Sequence, residues 1–347
     1  MQARWPLLVL LLSLAALACD GVTDAAGPAW IPIPTDGISP RWGQVAVYDA
    51  CRDRMVVFGG DGLTASDEAE FHGSSGQTNE LLALDLGTLA WTVLPATNAP
   101  GPRTDLAGIL DDTRDRLVIV GGRVGFATSI DEVWAYSFST ATWSQLPSGP
   151  PARHDVPGAT DGTRMWVFGG AGNFLQSLDD LWELDLATDA WRQMPDDGVR
   201  PPARTSGALV YRGGALYAVG GHDATSVKRD AWRYDLAAER WTKLDYEGDP
   251  IAAAHFGWTL DDACDRLILT AGDNLDNYDV ATTSALSFGS SPAFSLFATS
   301  NLAPPRDHPS MIFDRARRRL VLFGGGGLGD GLGTYGDAWR LDVAGCP

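Results

Sequence analysis

From Thr163 to Met194 the chain reads TRMWVFGGAGNFLQSLDDLWELDLATDAWRQM. A β-branched and aromatic run ends in the double glycine Gly169-Gly170. After a polar loop comes Leu181-Trp182-Glu183-Leu184-Asp185-Leu186, where apolar and acidic residues alternate. A short turn then leads to Trp191 and Met194. Alternation at period two between turn residues predicts antiparallel strands. One such unit cannot bury both its faces, so it has to be repeated.

The repeat is present along the chain. Double glycines or their remnant fall at Gly59-Gly60, Gly121-Gly122, Gly169-Gly170, Gly220-Gly221, Ala271-Gly272 and Gly324-Gly325, at intervals of 48 to 62 residues. Each pair ends a hydrophobic strand, for example MVVFGG, LVIVGG and LVLFGG. Upstream stand Pro40-Arg41, Pro102-Arg103, Ala152-Arg153, Ala203-Arg204 and Pro305-Arg306. Downstream lie the strands LLALDL (81–86), EVWAYSF (132–138), LWELDL (181–186), AWRYDL (231–236) and AWRLDV (338–343). Then come Trp91 with Leu94, Trp143 with Leu146, Trp191 with Met194 and Trp241 with Leu244. A period near fifty, made of short strands, is a propeller signature.

Double glycine, hydrophobic-acidic strand and spaced tryptophan together resemble the kelch repeat, over residues 30–347. The resemblance implies an all-β, six-bladed β-propeller with four antiparallel strands per blade. It also implies tryptophans packed between blades and glycines at a crowded turn with positive φ. Two irregularities refine the expectation. Blade five has Ala271 for a glycine and Phe294 with Phe297 in place of a Trp strand. Blade six stops after its third strand, at Cys346-Pro347, while Trp30-Ile31-Pro32-Ile33 stands before blade one. The N-terminal strand is therefore expected to complete blade six, which removes the open edges of the ring. Closure brings Cys346 near blade one. A Cys51–Cys346 bridge is the preferred pairing, with Cys264–Cys346 as its rival because blade five also flanks blade six.

At the N-terminus, Met1 to Arg4 is a short basic segment and Trp5 to Leu17 an apolar run too short to span a bilayer as a helix. Ala16-Leu17-Ala18 abuts Cys19. The arrangement is similar to bacterial lipoprotein signals, with Ala16 where that motif usually has leucine. It implies a signal peptide over 1–18, lipidation of Cys19, a tether over 19–29 and an extracytoplasmic, envelope-anchored propeller. Cleavage at the A-x-A site with free secretion is the alternative. Export permits disulfides.

The chain has 347 residues, 45% hydrophobic, with 26 basic and 44 acidic side chains for a formal charge of −18. Such an envelope argues against nucleic acid, whose phosphates need Lys/Arg neutralisation. The chain holds no C-x-x-C pair, no G-x-S-x-G elbow and no H-E-x-x-H, and Gly324 to Gly327 lacks the Lys-Ser/Thr of a phosphate loop.

In kelch-like propellers the loops before each first strand gather around a central channel. Two positions past the arginine register stand Gly43, Asp105, Asp155, Ser206, His255 and His308, a ring whose two Asp and two His suit a cation or cap local backbone. His222 follows its double glycine on the same rim. Arg103, Arg153, Arg204 and Arg306, with Arg41, could face a carboxylate or sugar acid, or pair with neighbouring acidic loops. The blade-one insertion, residues 61–79, offers Asp67, Glu68, Glu70 and His72 as metal ligands or as a solvated acidic loop.

Galactose oxidase resembles this chain in fold, but its paired tyrosines, histidines and Tyr–Cys crosslink find no counterpart here. Periplasmic sialic-acid mutarotases are similar in fold and address. The expected function is a non-enzymatic binding module, monomeric and without a cofactor, that holds a protein or glycan on its loop face. A carbohydrate-active enzyme of the mutarotase type, with ring arginines and His255 or His308 in acid/base roles, and a purely structural surface protein are the alternatives.

Overall fold

The computed structural model describes residues 27–62, 76–126, 128–173, 176–249, 254–273, 279–327, 333–343 and 345–346. The segment 1–18 expected as a signal peptide, Cys19, and the loop with Asp67, Glu68, Glu70 and His72 lie outside them.

Six four-stranded sheets form the blades. In blade one the strands follow chain order: Val45–Asp49, Arg54–Phe58, Leu81–Asp85 and Trp91–Val93, each antiparallel to the last. Blades two to five repeat this order from inner strands at Ala107–Asp111, Gly158–Thr160, Ala208–Arg212 and Gly257–Asp261. Blade six runs Ser310–Asp314, Arg319–Phe323 and Ala338–Asp342, and its outer strand is Trp30–Ile33 from the other end of the chain. The register Trp30↔Leu341 to Ile33↔Ala338 closes the ring as the orphan strand implied. Inner strands of successive blades lie side by side around the whole circle.

Each blade is apolar on both faces because each face meets a neighbour. Among the described residues the buried side chains form six clusters, one at each blade–blade interface. The repeated tryptophans bridge these interfaces. Trp143 lies 4.7 Å from Phe58 of the preceding blade, Trp241 lies 5.0 Å from Phe168, and Trp91 lies 4.7 Å from Phe323. In blade five Phe294 takes this place and joins the cluster shared with blade four.

The double glycines are stitches between blades. The N–H of Gly122 donates to the Arg153 carbonyl of the next blade at 2.9 Å, and Gly60, Gly170, Gly272 and Gly325 repeat the bond. A Cβ on Gly121, whose φ is +67°, would collide with that same carbonyl. The positive φ and the close approach both exclude a side chain.

The disulfide corrects the preferred pairing. Cys346 joins Cys264 of blade five, with Cα atoms 5.0 Å apart, and Cys51 is free and exposed. The reason lies in the turn register. The turns between first and second strands reach forward to the following blade: Arg52 pairs with Asp115 and Arg317 with Asp53. Cys264 occupies the position of Arg52 and Arg317, so it faces blade six. Cys51 sits one residue earlier, in a turn that faces blade two. The Val343 N–H bonds the Arg318 carbonyl, and the Arg318 guanidinium contacts Asp261 and Cys264, which carries the tail to blade five.

Candidate functional site at the channel mouth

The six residues two positions past the arginine register stand together at one end of the central channel. All six have positive φ, from +45° at His308 to +65° at Gly43. Their backbones form a closed circle. Gly43 N–H donates to the His308 carbonyl, Asp105 to Gly43, Asp155 to Asp105, Ser206 to Asp155, His255 to Ser206 and His308 to His255, at 2.7 to 3.2 Å. Each blade thus gives one N–H and takes one, and the circle satisfies these main-chain groups around the mouth. Left-handed backbone at non-glycine residues costs about 1–3 kcal/mol each and persists where the surroundings over-determine it. Here the six bonds do so. Below the circle the inner strands enclose a channel of about 710 Å³. Its wall mixes apolar and polar side chains, and Leu106, Val156 and Phe256 follow directly on the mouth residues.

A second circle surrounds the first. The residue after each double glycine or its remnant bridges the residue after each arginine or, in blade five, after Ala253: Trp42 with Asp61, Thr104 with Arg123, His154 with Ala171, Thr205 with His222, Ala254 with Asp273, and Asp307 with Gly326. Of this set sequence reasoning placed only His222 on the rim, and it singled out Asp273 as the start of an oxygen-rich loop. Repeat spacing would have placed Asp273, Asp307, Arg123 and His154 there, since they hold fixed offsets from landmarks already recognised.

The two circles bring the titratable groups together. His255 Nδ1 lies 3.0 Å from Asp273 Oδ1, and its Nε2 lies 3.2 Å from His222 Nε2. The His255 and His308 rings stack at 3.9 Å, and Trp42 meets His308 edge-on. His308 Nδ1 is 3.4 Å from Asp307 Oδ1, and its Nε2 is 3.7 Å from Asp155 Oδ1. Asp105 is held by Arg123 at 3.0 Å. His154 is bonded through Nδ1 to the Ser129 hydroxyl at 2.8 Å.

Charges at the mouth are unevenly shared. Burial, then the neighbouring Asp155 charge, pushes Asp105 up to about 6. Burial opposes ionisation of Asp155 too, but the hydrogen bond and charge of His308 outweigh it and hold that carboxyl well below the usual range. His308 is itself driven well above an ordinary imidazole, because the carboxylates of Asp307 and Asp155 overcome its burial. His154 and His222 are pushed down, chiefly by burial, and stay neutral near pH 7.

The arginines do not belong to this site. Arg41, Arg103, Arg153, Arg204 and Arg306 are at most 3% exposed. Arg153 donates to the Gly169 carbonyl and, in bidentate fashion, to Asp180 at 2.9 Å. Arg204 treats Gly220 and Asp230 the same way, and Arg306 treats Gly324 and Asp337. Arg103 pairs with Glu132, and Arg41 with Glu80. The candidate ligand cations are therefore corrected to struts inside each blade, which tie first strand, glycine turn and third strand. Desolvated guanidinium matched to a carboxylate within its own repeat has no donor face directed at the channel.

The six blades and their repeated landmarks define a kelch-type β-propeller. The chain belongs to the kelch-repeat family: the family model described as KLHDC2/KLHL20/DRC7 Kelch-repeats domain matches residues 69–272, more than half of the chain. No curated protein matches it.

Proposed function

We propose that this protein is an extracytoplasmic binding module that holds a protein or glycan at the channel-mouth face. One observation carries the reading. Three histidines and four aspartates from five blades converge on one opening, over a channel of about 710 Å³. Titratable groups gathered in one concavity with shifted affinities for protons are what binding sites present. The mutarotase-type alternative relied on ring arginines, and these are spent inside the blades. The address rests on the N-terminal segment ending at Cys19, supported by a Cys264–Cys346 disulfide, which suits an oxidising compartment.

The test is capture from a glycan array and from envelope extract, with the parent chain and with Ser206→Tyr, which fills the mouth from a position bearing no charge. The parent should retain a ligand that Ser206→Tyr loses. Equal retention would move the site off the mouth. For the address, Cys19→Ser should release the protein from membranes, and unchanged membrane retention would refute lipidation.

A further inference from the structure

Asp155, His255 and His308 each place one ligand atom within 4.8 Å of the other two. The nitrogen partners of the histidines say which atoms face inward. Asp273 accepts from Nδ1 of His255, and Asp307 stands against Nδ1 of His308. In both rings the remaining nitrogen, Nε2, is turned to the mouth, that of His308 toward Asp155 and that of His255 toward His222. A carboxylate on the far nitrogen is the arrangement that orients metal-bound imidazole and raises its basicity.

A second observation comes from His222. Its Nδ1 faces the Asp223 carbonyl at 3.2 Å, which can only accept, so the ring proton is on that nitrogen. Its Nε2 lone pair then points at Nε2 of His255, 3.2 Å away. That approach is satisfied by a proton shared between the two nitrogens or by one cation bound to both. Imidazole nitrogens bound at about 2.0–2.1 Å to one tetrahedral ion stand about 3.3 Å apart.

We infer that the channel mouth is a mononuclear transition-metal site, with His255, His308 and Asp155 as ligands, His222 as a further nitrogen donor beside them, and Asp273 and Asp307 as orienting carboxylates. This goes beyond the binding-module reading and stands without it. A donor set dominated by imidazole selects zinc, copper, nickel or cobalt over calcium or magnesium, which need mostly oxygen. The ion faces the channel, so a position remains for water or for an anionic oxygen of a bound molecule. The left-handed backbone at Asp155, His255 and His308 serves this geometry, since it aims side chains of blades three, five and six at one opening.

The experiment is a Co²⁺ titration of the full chain after stripping with a chelator, followed by visible absorption. The expected result is one ion per chain with saturable d–d bands. His255→Ala and His308→Ala should each weaken binding about 100-fold or more, and Asp273→Asn by about 10- to 100-fold. Cys51→Ser, in the exposed turn of blade one, should leave it unchanged. Should an alanine variant fail to fold, Cu²⁺ loaded into the parent chain should show imidazole nitrogen coupling by electron paramagnetic resonance. Absence of saturable Co²⁺ binding would overturn the proposal, as would unchanged affinity in the Asp273→Asn variant or a Cu²⁺ spectrum without nitrogen coupling.

Discussion

Ring closure by the N-terminal strand makes the sharpest stability prediction. Trp30 is 1% exposed and lies in the cluster between blades five and six, with Ile268, Met311, Phe313, Leu320, Leu322 and Leu341. Its main chain is held as well: its N–H donates to Asn301 Oδ1 at 2.7 Å, and its carbonyl accepts from Asn301 Nδ2 at 2.9 Å. Trp30→Ala keeps the strand and empties the cluster, so it isolates the side chain's share. Truncating a buried tryptophan costs about 3–5 kcal/mol, transfer and cavity together. Unfolding entropy of about 2.1 cal/mol/K per residue, over about 300 ordered residues, is about 0.6 kcal/mol/K, so the Tm should fall by about 6 °C. Ile31→Ala is the control, because Ile31 points outward and is 38% exposed. It should shift Tm by less than about 1 °C. Thermal melts followed by circular dichroism decide the matter. A Trp30→Ala melt within about 1 °C of the parent would refute the closure.

Three further outcomes follow from the blade architecture. Arg153→Met should destabilise by about 3–5 kcal/mol in urea titration, because Asp180 and the Gly169 carbonyl lose a buried partner; a loss under about 1 kcal/mol would show that the strut carries nothing. The Cys264–Cys346 bridge closes 82 residues, which in the chain-entropy account corresponds to about 4.5 kcal/mol. Cys264→Ser should therefore be destabilised severely and Cys51→Ser hardly at all, and a non-reduced digest joining Cys51 to Cys346 would refute the pairing. Burial opposes ionisation of Asp180, Asp230 and Asp337, yet the hydrogen bonds and charges of Arg153, Arg204 and Arg306 hold all three below the usual carboxylate range. The folded chain then binds fewer protons than the unfolded one, so this stability is complete above about pH 4 and is lost as the pH falls through the lowered values. Urea midpoints that stay flat from pH 5 down to pH 2.5 would contradict it.

How much of this was legible in the sequence depends on whether a residue's role is set by its repeat or by its neighbours. Blade number, strand order, the glycine stitch and the N-terminal closure are repeat properties, and six noisy copies of one pattern reinforce each other. The channel-mouth positions were legible for the same reason, since a fixed offset from Arg103, Arg153 or Arg306 is a fixed place on the ring. The arginines themselves were ambiguous. An arginine before a strand reads alike whether its guanidinium faces the channel or Asp180, and only burial separates the two. Cys346 failed differently, because closure puts it near two blades at once. Aligning the turns so that Cys264 coincides with Arg52 and Arg317 supplies the missing direction.

The degenerate positions are where the binding chemistry gathers. At the inner circle the repeat demands only a left-handed backbone that gives and takes one hydrogen bond. Gly43 and Ser206 meet the demand with almost no side chain. Asp105, Asp155, His255 and His308 meet it at greater conformational cost, and these four residues put charge and lone pairs over the channel. Ala271, the one non-glycine in the six first-glycine positions, shows how far blade five has drifted, yet it still adopts φ +60°. The same blade supplies His255 and Asp273. A repeat fold fixes main-chain geometry redundantly, so one blade can lose its signature while its neighbours hold the ring. Side chains at the mouth are then released from any structural duty except the turn, and selection can place imidazole and carboxylate there without altering the fold.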